Sequence, residues 1–376
     1  MKALANIMRF TSNKAGLCAV ILLTLCSIAG AEVGTFRPVQ LSRVPEVLTM
    51  IADQVRSNYE RIRTWEGQVN VKRHAIYDGP DAEHVFKMYT NEKGEPPQMI
   101  VESSESRIQF RTDLKAGLFY SKNDRQKPPQ YTDFETGKDL GTKLDAGYRV
   151  SIVTGECYLH SSSNIIREGS STRRIAFKEE PPKECLPCEL PSVFDPRTLF
   201  EIPEPVWKTF PQILQYISKY GKYAVGGHAL KVEERIEANL IEYRVRIPAK
   251  SSDGNLILTT KTFSGAKGYN VTLAEVTDVE GRLLKRAALD YTLIEGALLP
   301  NKTVSEHFGG KNGQRNYEKT AYLENMRINR SIPHETFTYK NLGLRNGDKL
   351  IDSILGKQYI YQNELLIPEG TPKQSL

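Results

Sequence analysis

The sequence predicts a mostly β protein with a few helices, built as a large curved antiparallel sheet (a half-open β-barrel) with two amphipathic helices on the concave face. Three observations lead to this fold class. Runs of alternating apolar and charged residues, separated by turn signals, fill much of the chain. One side of each run is apolar and the other charged, which is typical of a sheet covered on one side only. Two segments have the spacing of amphipathic helices and can form that cover.

The first 31 residues have the layout of a secretory signal peptide. Lys2, Arg9 and Lys14 form a positively charged region before an apolar run, Ala15 to Ile28, and Ala29-Gly30-Ala31 is a small-x-small cleavage site. The run is shorter than the ~20 apolar residues needed to cross a bilayer. We therefore expect cleavage after the signal, a soluble mature chain without a transmembrane segment, and localisation in the periplasm or cell envelope.

Two amphipathic helices are predicted. The first runs from Arg43 to Ile62, with apolar residues at three- and four-residue steps. The second begins where Thr209 and Gln212 resemble a capping box, and Gly221 ends it. Each helix has one apolar stripe, so each must lie on another element.

The rest of the chain reads as strands and turns. From Thr64 the apolar period changes to two, Asp78-Gly79-Pro80 predicts a turn, and Phe86 and Met88 are assigned to the strand after it. The last third is predicted as an antiparallel meander whose hairpin turns include Asp253-Gly254, Glu280-Gly281 and Glu295-Gly296. Residues 1–31 are the signal, and 32–376 are predicted to form a single half-barrel domain with a proline-rich insert at about 181–205, because proline cannot donate to a strand ladder.

Composition limits the class of partner. The net charge is +6 over 376 residues, part of it lies in the signal, and no block of Lys and Arg follows. A nucleic-acid partner is therefore not expected.

Cysteines suggest one disulfide and one alternative. Three cysteines lie beyond the signal, so an odd number enters an oxidising compartment and no disulfide framework is expected. Cys185 and Cys188 are predicted to form a disulfide, with Cys157 free. Alternatively, Cys157-x-x-His160 and Cys185-x-x-Cys188 have the spacing of a tetrahedral zinc site. Otherwise the sequence predicts no metal and no cofactor.

Motifs of the familiar hydrolases, zinc proteases, phosphate-binding loops and dinucleotide folds do not occur in the sequence. We therefore predict no catalytic residue and a protein that is not an enzyme. The inward-facing apolar side chains leave two interpretations open, the lining of a ligand cavity or a packed core under the helices. These candidate lining residues are Trp65, Val69, Val71, Phe110, Tyr243 and Val245.

Several local motifs resemble those of the periplasmic lipoprotein-carrier family of LolA/LolB-like half-barrels, in its large and poorly characterised bacterial branch. They are Ile62-x-Thr64-Trp65-x-Gly67-x-Val69, Arg107-Ile108-Gln109-Phe110-Arg111-x-Asp113, Gly268-Tyr269-Asn270, Gly281-Arg282-Leu283-Leu284 and the closing Asn329-x-x-Ile332-Pro333-x-x-x-Phe337 segment. The chain is much longer than the lipoprotein carriers, and its insert and cysteines are not theirs. No position matches a carrier's functional arginine.

The resemblance implies an exported carrier or binding protein for a lipid, a lipoprotein acyl chain or another apolar ligand, with no chemistry of its own. Its expected partners are that lipid or acyl chain and envelope proteins. Two alternatives stay open. One is an envelope scaffold or protein-interaction module with a packed concavity, and the other is a hydrolase with an unrecognised site.

Overall fold

A computed structural model describes the chain over residues 34–89, 96–141, 147–153, 158–164, 176–178, 206–237, 240–251, 253–309, 314–352 and 356–369. The predicted signal and the predicted insert at 181–205 lie outside these residues. The helices are α1 (Val44–Glu60), α2 (Gly79–Tyr89) and α3 (Val206–Tyr220).

The strands in chain order are β1 (Arg37–Pro38), β2 (Thr64–Asp78), β3 (Met99–Asp113), β4 (Leu118–Asp133), β5 (Asp139–Gly141), β6 (Gly147–Val153), β7 (Tyr158–Asn164), β8 (Ala176–Lys178), β9 (Ala224–Val225), β10 (His228–Ala229), β11 (Lys231–Glu237), β12 (Leu240–Lys250), β13 (Leu256–Ser264), β14 (Asn270–Asp278), β15 (Leu283–Ile294), β16 (Ala297–Phe308), β17 (Arg315–Ile328), β18 (Lys349–Asp352), β19 (Lys357–Gln362) and β20 (Leu365–Pro368).

All of these strands except the β9–β10 hairpin join one sheet that does not close into a barrel. A meander runs from β11 to β17, β17 pairs with β2, and β2, β3 and β4 pair in succession. The sheet continues through β6, β7 and β8 to the C-terminal strands β18, β19 and β20. The predicted large antiparallel sheet is therefore confirmed, with one exception: β8 and β18 pair in parallel.

The predicted turns form where the sequence places them. Gly254, Gly281 and Gly296 all have positive φ, between 80° and 86°, at the tips of successive hairpins. Glu295 also has positive φ, at 47°. Two consecutive positive φ angles are what a tight two-residue hairpin turn needs, because its twist then matches that of the strands.

Two helices cover one side of this sheet, as predicted. We call the side that carries Trp65 and Val69 the inner face. The apolar stripes of α1 and α3 form a single buried cluster with side chains of β2, β3, β4 and β11 to β17. The helices also contact each other, with the rings of Tyr59 and Trp207 centred 5.6 Å apart.

The strand prediction for Phe86 and Met88 is wrong, because both residues lie in α2, a third helix. Gly79 takes φ of 53° at the end of β2, and the chain turns directly into this helix. Its buried residues Ala82, Val85 and Phe86 have helical spacing and pack with Ile100, Tyr131 and Leu140 of the sheet.

The start predicted for the second helix is also wrong. α3 begins at Val206, so Pro211 lies inside it. Proline cannot donate the usual hydrogen bond there. The turn before it is nevertheless helical, and both Val206 and Phe210 in that turn are buried against the sheet.

Candidate functional site

The six predicted lining residues meet in one place. All belong to the cluster beneath α1 and α3, with five of them buried and Val71 half-buried at its margin. Trp65 and Val245 are each 0% exposed, and Phe110 is 1% exposed. In this conformation the helices fill the space over these side chains. A ligand cavity would therefore require one helix to leave the sheet, whereas a packed core requires both helices to stay.

The floor under the helices is tightly built. The rings of Trp65 and Phe110 meet edge to face with centroids 4.8 Å apart. Gly67 pairs directly with Phe110 across β2 and β3, and a Cβ on Gly67 would lie 3.1 Å from Cζ of that ring. A side chain at position 67 would therefore push the aromatic floor out of place.

α1 is anchored to the sheet by hydrogen bonds as well as by apolar contacts. The side chain of Asn58 donates to the carbonyl of Leu298 and accepts from its N–H, both at 2.8 Å. The backbone just after the helix is bonded to Asn329, the residue that follows β17. The side chain of Asn329 accepts from the N–H of Arg63 at 2.8 Å and donates to the carbonyl of Arg61 at 3.0 Å. These bonds fix α1 and the turn that follows it to β16 and β17.

α3 is held by fewer side chains. Its buried residues are Val206, Phe210 and Ile213, whereas α1 buries seven. Phe210 is the main anchor, with its ring 5.6 Å from that of Phe263 on β13. Further along the helix Tyr216 and Tyr220 are exposed. α3 therefore covers the inner face with a smaller buried surface than α1 does.

A cleft opens beside the contact between the two helices. It has a volume of about 440 Å³ and lies between the end of α1, the start of α3 and the β3–β4 turn. Its apolar wall is formed by Tyr59, Ile62, Leu114 and Trp207, and its rim carries Arg56, Glu60, Arg63 and Lys115. The cleft reaches the border between α3 and the apolar floor.

Beyond Val71 the inner face becomes polar. Strand register places Arg73 between Ser104 and Lys319, and it places Ser106 beside Arg125. Lys319 in turn pairs with Ser305 of β16. We call this set the polar belt: Arg73, Ser104, Ser106, Arg125, Ser305 and Lys319.

One buried carboxylate borders the polar belt. Glu102 is 5% exposed, accepts a 2.7 Å hydrogen bond from the Tyr77 hydroxyl and lies 3.5 Å from Nε of Arg73. Arg73 also donates to the Tyr77 hydroxyl at 2.8 Å. Burial is the largest influence on the pKa of Arg73 and acts to lower it, but Glu102 and the tyrosines Tyr77, Tyr317 and Tyr131 together raise the pKa. Burial also raises the pKa of Tyr77, so the tyrosine stays protonated as the donor.

The polar belt was not among the sequence candidates. Arg73 and Lys319 are far apart in the chain, and only the pairing of β2 with β17 brings them together. A signal was present in β2, because its alternate positions change from Val69 and Val71 to Arg73 while the strand continues to Asp78.

The cysteine predictions fall outside the described residues. This holds for the predicted Cys185–Cys188 disulfide and for Cys157 of the alternative zinc set. His160 lies in β7 and pairs with Ser151, and its side chain is likewise not described. Among the residues that the structure does describe, no three His, Cys, Asp or Glu side chains group as metal ligands. No helix within the described ranges is long and apolar enough to span a bilayer.

Comparisons with known proteins return likenesses of fold. No protein-family model matches the chain, and a search of curated proteins gives no match either. A DUF1329 family protein from Desulfovibrio piger is similar to this chain, with 9% identity and a TM-score of 0.35, over 79% of this chain and 98% of that one. A LolA superfamily protein from Nitrosomonas europaea has 12% identity and a TM-score of 0.34, over 77% and 99%.

A third solved structure is an outer membrane lipoprotein-sorting protein domain from Vibrio parahaemolyticus, with 10% identity and a TM-score of 0.35, over 81% and 99% of the two chains.

Proposed function

We propose that this chain is an exported carrier that shelters an apolar ligand, such as a lipid or an acyl chain, against the inner face of its sheet. The observation that supports this most directly is the unequal docking of the two helices on one apolar floor. α1 is tied down by Asn58 and seven buried side chains, whereas α3 buries three and packs Trp207, Leu214 and Ile217 against the cluster only in part. In the proposal the ligand displaces α3 from the floor. Binding consists of burying the apolar surface of the ligand and includes no chemical step.

The energies of such an exchange are similar. Fully burying a large apolar side chain contributes ~1.5–3 kcal/mol, so the three fully buried residues of α3 contribute roughly 5–9 kcal/mol, to which the partly buried Trp207, Leu214 and Ile217 add. A long acyl chain gains roughly 10 kcal/mol, at about 0.8 kcal/mol per CH₂ taken from water. Helix and ligand can therefore compete for the same floor, which lets a carrier both load and release its ligand.

The cleft beside Trp207 supports a route for the ligand. Its apolar wall continues the floor, because Tyr59 and Ile62 belong to the buried cluster and Trp207 packs against it. A chain lying in the cleft along Ile62 and Leu114 would reach the first turn of α3, where Phe210 makes its contact with Phe263.

The test is binding of a fluorescent fatty acid to the mature protein and to a Phe210→Leu variant. If α3 must leave, weakening its anchor by about 1 kcal/mol should tighten binding about fivefold, because the ligand then competes against a weaker contact. Phe337→Leu is the matched control, since Phe337 is a buried phenylalanine in a separate cluster with Val150, Ile152 and Leu350. It should lower stability and leave the affinity unchanged.

A second candidate function is favoured by the filled floor itself. If the core stays packed, the chain is an envelope scaffold or interaction module. The wild-type protein then binds no acyl probe, and Phe210→Leu and Phe337→Leu both cost stability with no gain in binding.

A further inference from the structure

We propose that the polar belt binds the anionic headgroup of the carried molecule, so that the ligand class is an anionic lipid whose tail lies on the apolar floor. This inference rests on the proposed carrier function and narrows it. It is supported by the position of the belt, by its charge and by an unfavourable pairing within the sheet.

The position of the belt makes it continuous with the apolar floor. Val71 and Ala321 pair across β2 and β17 at the margin of the buried cluster, and Arg73 and Lys319 are the next pair on the same face. On the other side of the belt, α2 covers Ile100 and Tyr131. The belt is therefore the polar stretch of the inner face between two helix-covered apolar stretches, and a lipid with its tail under α3 would place its head there.

The charge of the belt is positive. Arg73, Arg125 and Lys319 face the same side, and Glu102 is the one carboxylate that β2, β3, β16 and β17 place on this stretch within their described residues. Glu102 is already paired with Arg73 and bonded to Tyr77. Within the described part of the chain no carboxylate forms an ion pair with Lys319 or Arg125. Two half-buried serines beside these cations, Ser104 and Ser106, add hydroxyl donors suited to phosphate oxygens, whereas Ser305 is only 2% exposed.

The pairing of Arg73 with Lys319 is only partly compensated, because Glu102 neutralises Arg73 and no carboxylate in the described part of the chain pairs with Lys319. Like charges directly opposite on one face of an antiparallel pair destabilise the sheet, because their Cβ atoms lie only ~4.5–5.5 Å apart. Residues that break a local rule of sequence and structure are commonly found at functional sites. A phosphate lying between the two cations would turn the repulsion into two charge-assisted hydrogen bonds. The side chain of Arg73 is 40% exposed, so such a group can reach it.

Lys319→Gln is the variant that tests this proposal. Lys319 is half-buried, and its loss removes the like-charge pair, so the melting temperature of the ligand-free protein should not fall. Arg73 is a poor choice, because its removal would leave Glu102 buried without its cation. Lys72→Gln is the matched control, since Lys72 is exposed, neighbours Arg73 in β2 and points to the opposite face.

The experiment compares two probes with identical fluorescent acyl chains, phosphatidylglycerol and phosphatidylcholine, at low and at physiological salt. The wild-type protein and Lys72→Gln should bind phosphatidylglycerol about tenfold more tightly, a preference that salt weakens. Lys319→Gln should lose most of that preference and weaken phosphatidylcholine less, because the choline of that lipid already balances its phosphate charge, and Arg125→Gln should act in the same direction. Glycerol phosphate should not displace either lipid at equal concentration, because the tail supplies most of the affinity.

Equal binding of both lipids by the wild-type protein would overturn the headgroup site and leave the carrier function intact. Binding of neither lipid would overturn the carrier function and this inference with it. If glycerol phosphate binds as tightly as phosphatidylglycerol, the belt is a site for free phosphate and the lipid assignment is wrong. An equal loss of preference in Lys72→Gln and Lys319→Gln would show a general charge effect and would also contradict the site.

Discussion

α1 and α3 lie side by side on the same sheet face, yet they are attached in different ways. α1 buries seven side chains and is hydrogen-bonded to β16 through Asn58. α3 buries three side chains, contains Pro211 and exposes Tyr216 and Tyr220. Two helices that cover the same apolar floor can therefore differ in how much buried surface and hydrogen bonding attaches each of them to the sheet. In the proposed function α1 belongs to the permanent core, and α3 is the helix that exchanges with the ligand.

The largest expected effect comes from a charge in each helix at a fully buried position. Leu48→Asp in α1 and Phe210→Asp in α3 both start from 0% exposure. An unpaired buried carboxylate costs several kcal/mol, comparable with a total stability of about 5–15 kcal/mol. We expect Leu48→Asp to leave little folded protein, because α1 cannot leave without opening the core. Phe210→Asp should release α3 and leave the sheet folded.

Circular dichroism and tryptophan fluorescence measure how much folded structure each of these two variants retains. Phe210→Asp should retain the β signal and shift Trp207 emission to longer wavelength as α3 becomes hydrated. If both variants unfold alike, the two helices are equally integral to the core and the comparison fails.

A smaller effect is expected from the hydrogen bonds of α1. Asn58→Ala removes two hydrogen bonds to the backbone of Leu298. The N–H of Leu298 then loses the Asn58 side chain as its acceptor. The free energy of unfolding should fall by about 1–3 kcal/mol, measured by urea denaturation. Gln212→Ala, at an exposed position on α3, should change it by less than about 0.5 kcal/mol. Equal effects of the two changes would show that Asn58 does not anchor α1.

The smallest expected effect is a loss of stability at alkaline pH, and it concerns Tyr291 in the floor under α1. Burial raises the pKa of Tyr291 well above its ordinary value, with Tyr59 of α1 adding to the shift, and its hydroxyl donates to the carbonyl of Val271 at 2.8 Å. The unfolded tyrosine ionises near ~10 whereas the folded one keeps its proton. Stability from this group is therefore complete below about pH 10 and is lost as the pH rises further.

Tyr291→Phe should lower the stability at neutral pH and flatten its decline above about pH 10. Urea denaturation across this range measures the slope, with Tyr220→Phe on the exposed part of α3 as control. A slope unchanged by Tyr291→Phe would show that another group controls the alkaline decline.

Local patterns were enough to predict the strands, the hairpin turns and the two helices with wide apolar stripes. The helix α2 was missed because Phe86 and Met88 also fit a period of two, and the turn signal at Gly79 is equally compatible with a helix start. The second helix was predicted to start at Thr209, with Pro211 in its first turn, whereas the packing of Val206 and Phe210 extends the helix back to Val206 and places Pro211 inside it.

Features that depend on distant pairing were beyond the sequence. The parallel contact of β8 with β18 and the opposition of Arg73 to Lys319 join segments far apart in the chain. The six candidate lining residues lie in one cluster, and their role as the lining of a ligand cavity stays a prediction. Whether a helix or a ligand covers them depends on the relative attachment of α1 and α3, which no periodicity encodes.

Hydrogen exchange of the α1 and α3 amides, with and without a bound fatty acid, tests the central claim most directly. The account predicts that α3 exchanges faster than α1 in the ligand-free protein and faster again when the ligand is bound, while α1 stays protected in both states. Protection of α3 equal to that of α1, and unchanged by a ligand shown to be bound, would contradict it.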